Sequence, residues 1–375
     1  MNIAIDLISS DGWQGIEVYA QNIICRLAKI AQKDQIFILL SNTSQFVSTD
    51  NNITPIVIKG LKSKPLKALY QQTLIYSLLK KYQIDILFSP SPAAPLFYKP
   101  KVVTIHDCAY DRFPECANFF SKCYFKLMYY GAKYYTNKII TVSNFSRNEL
   151  ASMYNIIPDK IETIYNSLPP LPEIDSEIAK NVLQKFNLYK PYFSCVGNWR
   201  PRKNIPSLIM AFKLFKERNK NAKDFLLVLV GKKDKRFLDI EWFLKEHDLS
   251  REVVVTGFVS EEEKVALYQG SLAFTFPSFY EGFGLPVLEA QSLGVPVLTS
   301  NTSSLPEISQ DSVLYVDPYN IEDIAKGIEE ITFDEETRKT LIQKGYANIR
   351  RFSWEKSAEK LLEIFRKVYE HSSSK

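Results

Sequence analysis

Two series of alternating strand-like and helix-like segments constrain the fold of this 375-residue chain more than any other feature. Such alternation is typical of parallel sheets wrapped by helices. Residues 166–172, NSLPPLP, interrupt the alternation and predict a stiff linker between the two series. We therefore expect an α/β protein with two doubly wound domains, residues 1–170 and 171–352, that face a central cleft. Residues 353–375 are predicted to form a closing helix that crosses back to the first domain.

The boundaries of the predicted segments follow from apolar runs and apolar periodicity. The predicted strands are residues 2–7, 35–40, 84–88, 102–105 and 138–142 in the first series, and 192–196, 225–230, 253–256 and 272–275 in the second. Residues 294–299 are predicted as a turn that leads into a further short buried strand. The predicted helices are residues 18–31, 66–82, 119–136 and 144–154, then 205–218, 240–246 and 261–269, and finally 354–369.

Residues 276–289, FPSFYEGFGLPVLE, set two carboxylates around a glycine-bearing loop that turns into a helix. Gly282 and Gly284 allow a ligand to approach the backbone amides, and Pro286 suits a first helical position. The helix start that follows is a potential anion site. Glu289, expected in the first turn, could bind a ribose diol, and Glu281 could bind a hexose. The alternative is that Glu289 only complements the helix dipole and that Glu281 is a solvated acid.

A second segment, residues 197–204 (GNWRPRKN), follows a predicted strand and carries three cations. Asn204 is expected to cap the helix that follows. Arg200, Arg202 and Lys203 would then form a clamp for a diphosphate, with Lys203 as the main candidate, because fixed cations stabilise the charge that develops on a leaving diphosphate. The alternative is a solvated basic turn.

Two further strand ends carry candidate residues. The backbone of Phe258 and Val259 could hold the edge of a nucleobase, and Ser260 could cap the next helix, although a purely structural turn fits the residues equally well. His106 could donate to a sugar hydroxyl or a developing oxyanion, with Asp107 orienting its ring. The alternative for His106 is a core histidine tied to a backbone carbonyl.

Composition limits the remaining classes. Five cysteines without CxxC spacing predict reduced thiols in the cytoplasm, and the amino terminus does not resemble a signal peptide. A net charge of +5 is too small to argue for nucleic acid. Residues 59–81 and 119–135 mix lysines with aromatic and aliphatic residues, which fits either peripheral contact with an anionic membrane or ordinary amphipathic helices. There is no DxD triplet or metal-ligand spacing, so the expected site has no metal and no cofactor.

These residues together resemble the retaining glycosyltransferases of family 4, which have the GT-B architecture of two Rossmann-like domains. The resemblance runs from Gly15 to the closing helix, and its most specific part is the E-x7-E motif of Glu281 and Glu289. Segments 105–107 (IHD), 114–115 (PE), 142–146 (VSNFS) and 201–204 (PRKN) strengthen it.

The resemblance implies a role for each matching residue. The donor sugar is implied to contact Glu281 and the amides of Gly282, Phe283, Gly284 and Leu285. The ribose is implied to contact Glu289, and the diphosphate Arg202 and Lys203. Gly15 is the implied donor contact in the amino-terminal domain. His106 is placed near the transferred sugar, so that His106, Glu281 and Lys203 are the expected catalytic residues. Asn198 stands where many relatives carry an arginine, which leaves open whether Arg200 or Arg202 meets the phosphate.

The predicted activity is metal-independent transfer of a hexose from a nucleotide-diphosphate sugar, held by the carboxyl-terminal domain, to a cell-envelope glycan or lipid-linked acceptor bound by the amino-terminal domain. The PRKN turn resembles that of bacterial mannosyltransferases that build surface polysaccharides such as lipopolysaccharide, which suggests GDP-mannose as donor and the cytoplasmic face of the membrane as location. A GT-B epimerase and a catalytically silent assembly partner are the alternatives.

Overall fold

The computed structural model describes residues 1–9, 14–42, 46, 50–232 and 239–373 of the chain. The chain forms two compact units. The amino-terminal unit combines Met1–Pro169 with Phe352–Lys375, and the carboxyl-terminal unit is the continuous segment Pro170–Arg351. The stretch predicted as a linker, residues 166–172, has no regular secondary structure and contains the boundary between the units.

Each unit is built on one parallel sheet. The strands are β1 Asn2–Asp6, β2 Gln35–Leu40, β3 Ile53–Val57, β4 Ile86–Ser89, β5 Lys101–Thr104, β6 Lys138–Thr141 and β7 Ile161–Thr163 in the first, and β8 Tyr192–Val196, β9 Leu226–Val230, β10 Val253–Gly257, β11 Ala273–Phe276, β12 Val297–Ser300 and β13 Leu314–Val316 in the second. The strand orders are β3-β2-β1-β4-β5-β6-β7 and β10-β9-β8-β11-β12-β13.

Helices cover these sheets. They are α1 Gln14–Ile30, α2 Lys64–Gln72, α3 Ile75–Lys81, α4 Ala109–Arg112, α5 Phe119–Tyr135, α6 Asn144–Tyr154, α7 Ser176–Lys185, α8 Ile205–Arg218, α9 Ile240–Glu246, α10 Glu261–Gln269, α11 Leu285–Ser292, α12 Leu305–Ser309, α13 Ile321–Phe333, α14 Glu335–Ile349 and α15 Trp354–Ser373. None of the described helices has both the length and the apolar character needed to cross a membrane.

The inner strands are predominantly apolar because both faces of each sheet are covered. Strands β4, β8 and β9 are buried at every position, as expected for doubly wound parallel sheets. The predicted fold class is therefore confirmed. In each sheet the strand order reverses next to the first strand, between β1 and β4 and between β8 and β11. Ligands of such sheets bind at the carboxyl ends of the strands beside this reversal.

The closing helix α15 belongs to the core of the amino-terminal unit. Trp354 and Phe365 are buried in the same cluster as Tyr19 and Leu27 of α1. The indole Nε1 of Trp354 donates to the Leu168 carbonyl at 3.1 Å. Residues that lie far apart in sequence thus complete one hydrophobic core.

Several predicted boundaries were wrong for local reasons. The single helix predicted over residues 66–82 is divided into α2 and α3, because Thr73 at the end of α2 leaves the helical backbone conformation. Helix α1 begins at Gln14, four residues before its predicted start at Val18. Strand β3 was not predicted, and it is an edge strand that contains Pro55.

Candidate functional site

The two motif segments of the carboxyl-terminal unit meet because their strands are neighbours. Strand β8 leads into residues 197–204 and β11 leads into residues 277–284, and the two strands pair directly in parallel. The Phe279 amide donates to the Arg202 carbonyl at 2.8 Å and fixes one segment on the other. The reversal point of the sheet therefore brings the predicted cation turn and the predicted glycine loop together.

Asn204 joins these loops and does not cap the helix as predicted. Its backbone is left-handed, with φ of 57°, and its side chain accepts no hydrogen bond from the first turn of α8. The side-chain amide donates instead to the carbonyls of Pro277 at 3.0 Å and Pro318 at 2.7 Å. Asn204 therefore acts as a tie between three loops at the carboxyl edge of the sheet.

Glu281, Lys203 and Arg202 form a buried ion triad. Lys203 Nζ lies 2.6 Å from Glu281 Oε1, and Arg202 Nη1 lies 2.8 Å from Glu281 Oε2. Lys203 and Glu281 are only 9% and 5% exposed. The Lys203 ammonium also lies 4.5 Å from the centre of the Phe276 ring, within the range of a cation–π contact. The alternative of a solvated basic turn is thus wrong for Lys203.

The triad is held in its charged form by mutual attraction. Burial alone would raise the pKa of the Glu281 carboxyl, but Arg202 and Lys203 outweigh burial and hold that pKa below its ordinary value. Burial lowers the pKa of the Lys203 ammonium, and the contact with Glu281 opposes this shift. Two cations thus lie beside one carboxylate, an arrangement suited to an anionic ligand.

The glycine loop is shaped by backbone conformation and by two serines. Gly284 precedes α11 with φ of 106°, and a Cβ atom there would approach Leu305 Cδ2 to 2.9 Å. Ser304 Oγ donates to the carbonyls of Glu281 at 2.8 Å and Phe283 at 3.0 Å. Ser303 Oγ accepts from the Glu281 amide at 3.0 Å. Sequence reasoning missed both serines, which lie 22 and 23 residues after Glu281.

The start of α11 differs from the predicted one by one residue. Leu285 is the first helical residue, so Pro286 occupies the second position and Glu289 lies beyond the first turn. The amino end of α11 still follows directly from the glycine loop.

Glu289 belongs to a second polar group, which is shared with α10 and does not include the triad. Its carboxylate accepts from Lys264 Nζ at 3.2 Å and from the Tyr268 hydroxyl at 3.1 Å, and Glu289 is 8% exposed. Burial and the neighbouring Glu289 raise the pKa of Tyr268 well above its ordinary value, so its hydroxyl stays protonated and donates. Sequence reasoning missed Lys264 and Tyr268, because only their spacing of four residues on α10 places them on one face.

The loop between β10 and α10 confirms one sequence expectation, while the nucleobase contact stays a prediction. Ser260 accepts from the Glu263 amide and Glu263 reciprocates, which confirms the predicted cap as a full capping box. Phe258 is 74% exposed, and Val259 packs partly against the core of the unit. An exposed aromatic ring at the carboxyl end of a strand is compatible with the predicted nucleobase position.

His106 lies in the amino-terminal unit at the carboxyl end of β5. Its Nε2 lies 2.9 Å from the Pro90 carbonyl, and its ring packs edge-on against Tyr19 at a centroid distance of 4.9 Å. Burial lowers the pKa of His106, so the ring is neutral near pH 7. A carbonyl only accepts, so Nε2 carries the proton and Nδ1 presents a lone pair. This contact matches the alternative predicted for His106.

Asp107 does not orient His106 as predicted. Its carboxylate Oδ1 accepts from the Ala109 amide at 2.9 Å, at the start of α4. Gly15 lies exposed in the first turn of α1, and among the described residues beyond its chain neighbours and its own helix backbone no atom lies within 4 Å of the position of a Cβ. The adjoining residues 10–13 lie outside the described residues.

Asp6, at the carboxyl end of β1, is a buried acid that sequence reasoning did not select. Its carboxylate accepts from the Ile8 amide at 3.1 Å and from Gln71 Nε2 at 2.8 Å, and Gln71 Oε1 accepts from Ser9 Oγ at 2.7 Å. Burial raises the pKa of Asp6 to about 7. The signal in the sequence was one acid at the end of an otherwise apolar strand.

Metal ligands do not cluster in the described part of the chain: no group of three or more His, Cys, Asp or Glu side chains is arranged to hold an ion.

Comparison with known proteins matches both halves of the chain to glycosyltransferase families. Residues 13–170 match Glycosyltransferase Family 4, and residues 179–348 match Glycosyl transferases group 1. O-antigen chain mannosyltransferase B of Escherichia coli is 32% identical over 293 residues, which are 77% of this chain and 76% of that one. O-antigen chain mannosyltransferase RfbU of Salmonella typhimurium is 26% identical over 311 residues, covering 81% of this chain and 83% of that one.

Solved structures show the same fold. The Anabaena protein Alr3699/HepE, crystallised with UDP-glucose, superimposes with a TM-score of 0.74 over 98% of this chain and 100% of its own, at 16% identity. Two units that are each built on a doubly wound parallel sheet are the architecture of the GT-B class. The chain belongs to glycosyltransferase family 4, and both the predicted family and the predicted enzyme class are confirmed.

Proposed function

We propose that this enzyme transfers mannose from GDP-mannose to a cell-envelope glycan, with retention of the anomeric configuration and without a metal ion. The observation that carries the proposal is the buried triad of Glu281, Lys203 and Arg202 beside the left-handed Gly284. A carboxylate that accepts from sugar hydroxyls and two cations that face a diphosphate are the groups that a nucleotide-sugar site requires.

Donor binding would redistribute the hydrogen bonds of the triad. The diphosphate brings negative charge that competes with Glu281 for the Arg202 guanidinium and the Lys203 ammonium. Glu281, released in part from these cations, can then accept hydrogen bonds from hydroxyls of the hexose. The energetic cost of breaking the triad is offset because the diphosphate replaces the carboxylate as the partner of each cation.

The chemical step places most of the new charge on the leaving nucleotide. The bond between the anomeric carbon and the phosphate oxygen breaks, and a bond between that carbon and the acceptor oxygen forms on the same face. The acceptor hydroxyl passes its proton to the leaving diphosphate. Lys203 and Arg202 lower the barrier because the diphosphate charge is greatest after bond cleavage has begun.

The remaining donor contacts are assigned to the second polar group and to the other unit. Glu289, oriented by Lys264 and Tyr268, would accept from the ribose hydroxyls. The amides of Gly282 to Leu285 would contact the hexose, and the backbone of Phe258 and Val259 would meet the base. His106 and Gly15 of the amino-terminal unit are proposed to contact the transferred sugar and the donor, respectively.

Mannose and the acceptor class are proposed from relatives. Two relatives, 32% and 26% identical to this chain, are named as O-antigen chain mannosyltransferases. An O-antigen is a cell-surface glycan, which supports a lipid-linked or envelope acceptor and an enzyme that works at the cytoplasmic face of a membrane.

Ligand-induced stabilisation tests the donor assignment. Thermal unfolding is measured with GDP, GDP-mannose, UDP and UDP-glucose, since a ligand selective for the native state raises the melting temperature by an amount that grows with the ratio of its concentration to its dissociation constant. A shift with GDP and GDP-mannose, followed by transfer of labelled mannose to an extracted glycolipid acceptor, supports the proposal. A shift with the uridine ligands alone refutes the GDP-mannose assignment, and loss of labelled donor without a glycosylated product refutes transfer.

A further inference from the structure

An open groove lies in the amino-terminal unit between the second half of α15 and the strands β6 and β7. Ile140 of β6 packs in the same core cluster as α15, whereas its neighbour Ile139 packs in the cluster of α5. Because side chains alternate along a strand, Lys138 shares the α15 face with Ile140 and lines the groove, as does Glu162 of β7. The α15 groove has a volume of about 500 Å³, which is within the range of small-ligand sites.

The α15 groove combines an apolar floor with polar walls. Ile364 and Val368 form the floor, and both are 6% exposed and belong to the core of the unit. The polar side chains of α15 follow one another at spacings of three or four residues and therefore share one face of the helix. They are Lys360, Glu363, Lys367 and His371. Walls of this composition favour a small polar ligand over an apolar one.

Two ammonium groups of the α15 groove are fixed by backbone carbonyls and face the same carboxylate. Lys138 Nζ donates to the Asp159 carbonyl and lies 3.2 Å from Glu162 Oε1. Lys360 Nζ donates to the Thr163 carbonyl at 2.9 Å and lies 3.9 Å from Glu162 Oε2. The two lysines belong to β6 and α15, so the fold brings them together. Cations that are already held in place need little reordering when an anion binds.

Solvent reaches this cluster, so a ligand can exchange with its ion pairs. The side chains of Lys138, Glu162 and Lys360 are 30%, 35% and 47% exposed. Ion pairs that are exposed in this way contribute little to stability. A phosphate group carries more negative charge than one carboxylate and can accept from two ammonium groups at once. Such a group can therefore replace Glu162 as the partner of both lysines.

Other polar groups of the α15 groove are complementary to hydroxyl groups. Asn137 Oδ1 accepts from the Lys101 amide at 3.1 Å, and among the described residues Asn137 Nδ2 donates to no acceptor. His371 Nδ1 lies 2.7 Å from the Lys367 carbonyl, which only accepts, so in the neutral ring Nδ1 carries the proton and Nε2 presents a lone pair. Glu363 Oε1 accepts from Lys367 Nζ at 2.6 Å, and the carboxylate has a second oxygen that can accept from a hydroxyl.

We propose that the α15 groove binds a hexose phosphate as a second ligand of the enzyme. The phosphate lies between Lys138 and Lys360, and the sugar hydroxyls donate to Glu363 and His371. Inorganic phosphate alone would leave these two acceptors unused, and a neutral sugar would leave the ammonium groups without a new partner. Every contact comes from the amino-terminal unit, so the inference does not depend on the proposed nucleotide-sugar site.

Isothermal titration calorimetry of the full chain tests the proposal. The probes are mannose 6-phosphate, mannose 1-phosphate, inorganic phosphate and mannose. We expect a hexose phosphate to bind with an affinity about tenfold or more above that of inorganic phosphate, and we expect no measurable binding of mannose. Equal affinity for inorganic phosphate or for mannose overturns the proposal, and so does the absence of binding by both hexose phosphates.

Two variants separate the phosphate contact from the sugar contact. Lys138→Met/Lys360→Met removes both ammonium groups and should weaken binding of the hexose phosphate by roughly a hundredfold. Glu363→Gln retains both ammonium groups; it should weaken binding of the hexose phosphate by about tenfold and leave the affinity for inorganic phosphate unchanged. Unchanged binding of the hexose phosphate in either variant overturns the assignment of the groove.

Controls come from the carboxyl-terminal unit. Lys185→Met/Lys190→Met removes two partly exposed lysines that lie 2.5 Å from Glu263 and 2.7 Å from Asp224, so the net charge changes as in the lysine variant of the groove. Its affinity for the hexose phosphate should equal that of the unmodified chain. Equal loss of binding in this control would show that net charge determines binding. Loss of binding in Lys203→Met would assign the ligand to the donor site. Either result overturns the proposal.

Hydrogen exchange locates the ligand in the unmodified chain and needs no variant. Saturation with the hexose phosphate that binds should slow amide exchange in residues 137–139 and 360–371, because the ligand joins α15 to the sheet. Exchange in residues 277–289 of the glycine loop should stay unchanged. Slower exchange in residues 277–289 without a change in residues 360–371 would place the ligand in the other unit and overturn the proposal.

Discussion

Replacement of Lys203 by methionine tests the ion triad at the point on which the proposed donor site depends. Methionine has a similar length and can pack over Phe276, so the substitution removes the ammonium with little change in volume. Glu281 would keep only Arg202 as a cationic partner, at 2.8 Å. Removal of one member of a buried ion pair typically lowers the free energy of unfolding by about 3–5 kcal/mol. We expect about 3 kcal/mol for Lys203→Met, because the Arg202 guanidinium remains as a partner of Glu281.

A double-mutant cycle isolates the interaction from the two side chains themselves. Glu281→Gln alone removes the carboxylate partner of the buried Lys203 ammonium and should cost about 3 kcal/mol as well. The combination Lys203→Met/Glu281→Gln removes one charge of each sign. Its cost should therefore be smaller than the sum of the single variants by about 2 kcal/mol.

Urea unfolding followed by tryptophan fluorescence measures these free energies. Trp199 and Trp242 lie in the carboxyl-terminal unit, so a background with Trp13→Phe and Trp354→Phe confines the signal to that unit. Lys213→Met is the matched control, because Lys213 forms a partly exposed pair with Glu217 in the same unit at 3.8 Å. The control should change the free energy of unfolding by less than about 0.5 kcal/mol.

Turnover supplies the functional half of the test. Loss of the Lys203 ammonium should lower kcat/KM for the donor by roughly a hundredfold or more, since the charge of the leaving diphosphate loses a fixed cation. The coupling argument is refuted if the two single costs add to the double cost within about 0.5 kcal/mol. The diphosphate assignment is refuted if folded Lys203→Met protein turns over at a near-normal rate.

Three further substitutions test other features of the two units. Asp6→Asn removes a carboxyl whose pKa is raised by burial from 3.8 to about 7. Between these pH values the folded protein keeps a proton that the unfolded chain releases, so the free energy of unfolding of the unmodified chain should fall by up to roughly 4 kcal/mol as pH rises from 4 to 8. The variant should show a smaller fall, and parallel urea profiles for the two proteins would contradict this. Ser303→Gly relieves the strain of a φ of 57° and removes the hydroxyl that accepts from the Glu281 amide. We expect kcat/KM for the donor to fall about tenfold, while the free energy of unfolding changes by less than about 1 kcal/mol. Unchanged kinetics would leave Ser303 a purely structural role. Gly284→Ala places a Cβ 2.9 Å from Leu305 Cδ2 at a φ of 106°. It should lower the free energy of unfolding measured in urea by about 1–3 kcal/mol and weaken the GDP-induced rise in melting temperature. Normal values of both quantities would show that the glycine is dispensable.

The fold was predictable where segments are apolar and end in strong turn residues. Strand β8, for example, is a mostly apolar run that is followed by Gly197, and its predicted and observed bounds coincide. Strand β3 is different, because its edge position allows exposed residues and Pro55 within it, and a proline inside a short run argues against a strand despite the β-branched residues around it. Helices α13 and α14 and strand β13 were not predicted at all, although α13 has a clear apolar periodicity.

The site was predictable as a set of residue types and less so as a set of contacts. The sequence selected Glu281, Arg202 and Lys203, but it assigned the acid to a sugar and the cations to a diphosphate. Their mutual pairing depends on the adjacency of β8 and β11, whose loops are separated by 78 residues along the chain. The contacts of Glu289 with its partners on α10 were unpredictable for the same reason. The sequence shows which residues share a face of α10, but not which other element that face packs against.

The return of α15 to the amino-terminal unit has a consequence for the order of folding on the ribosome. Residues 170–351 form a continuous segment whose core needs no later part of the chain, so this unit can become native as soon as it has left the exit tunnel. The first 169 residues emerge earlier, yet their core waits for Trp354 and Phe365. The part of the protein that is synthesised first therefore completes its core last, and damage to α15 would affect the amino-terminal unit.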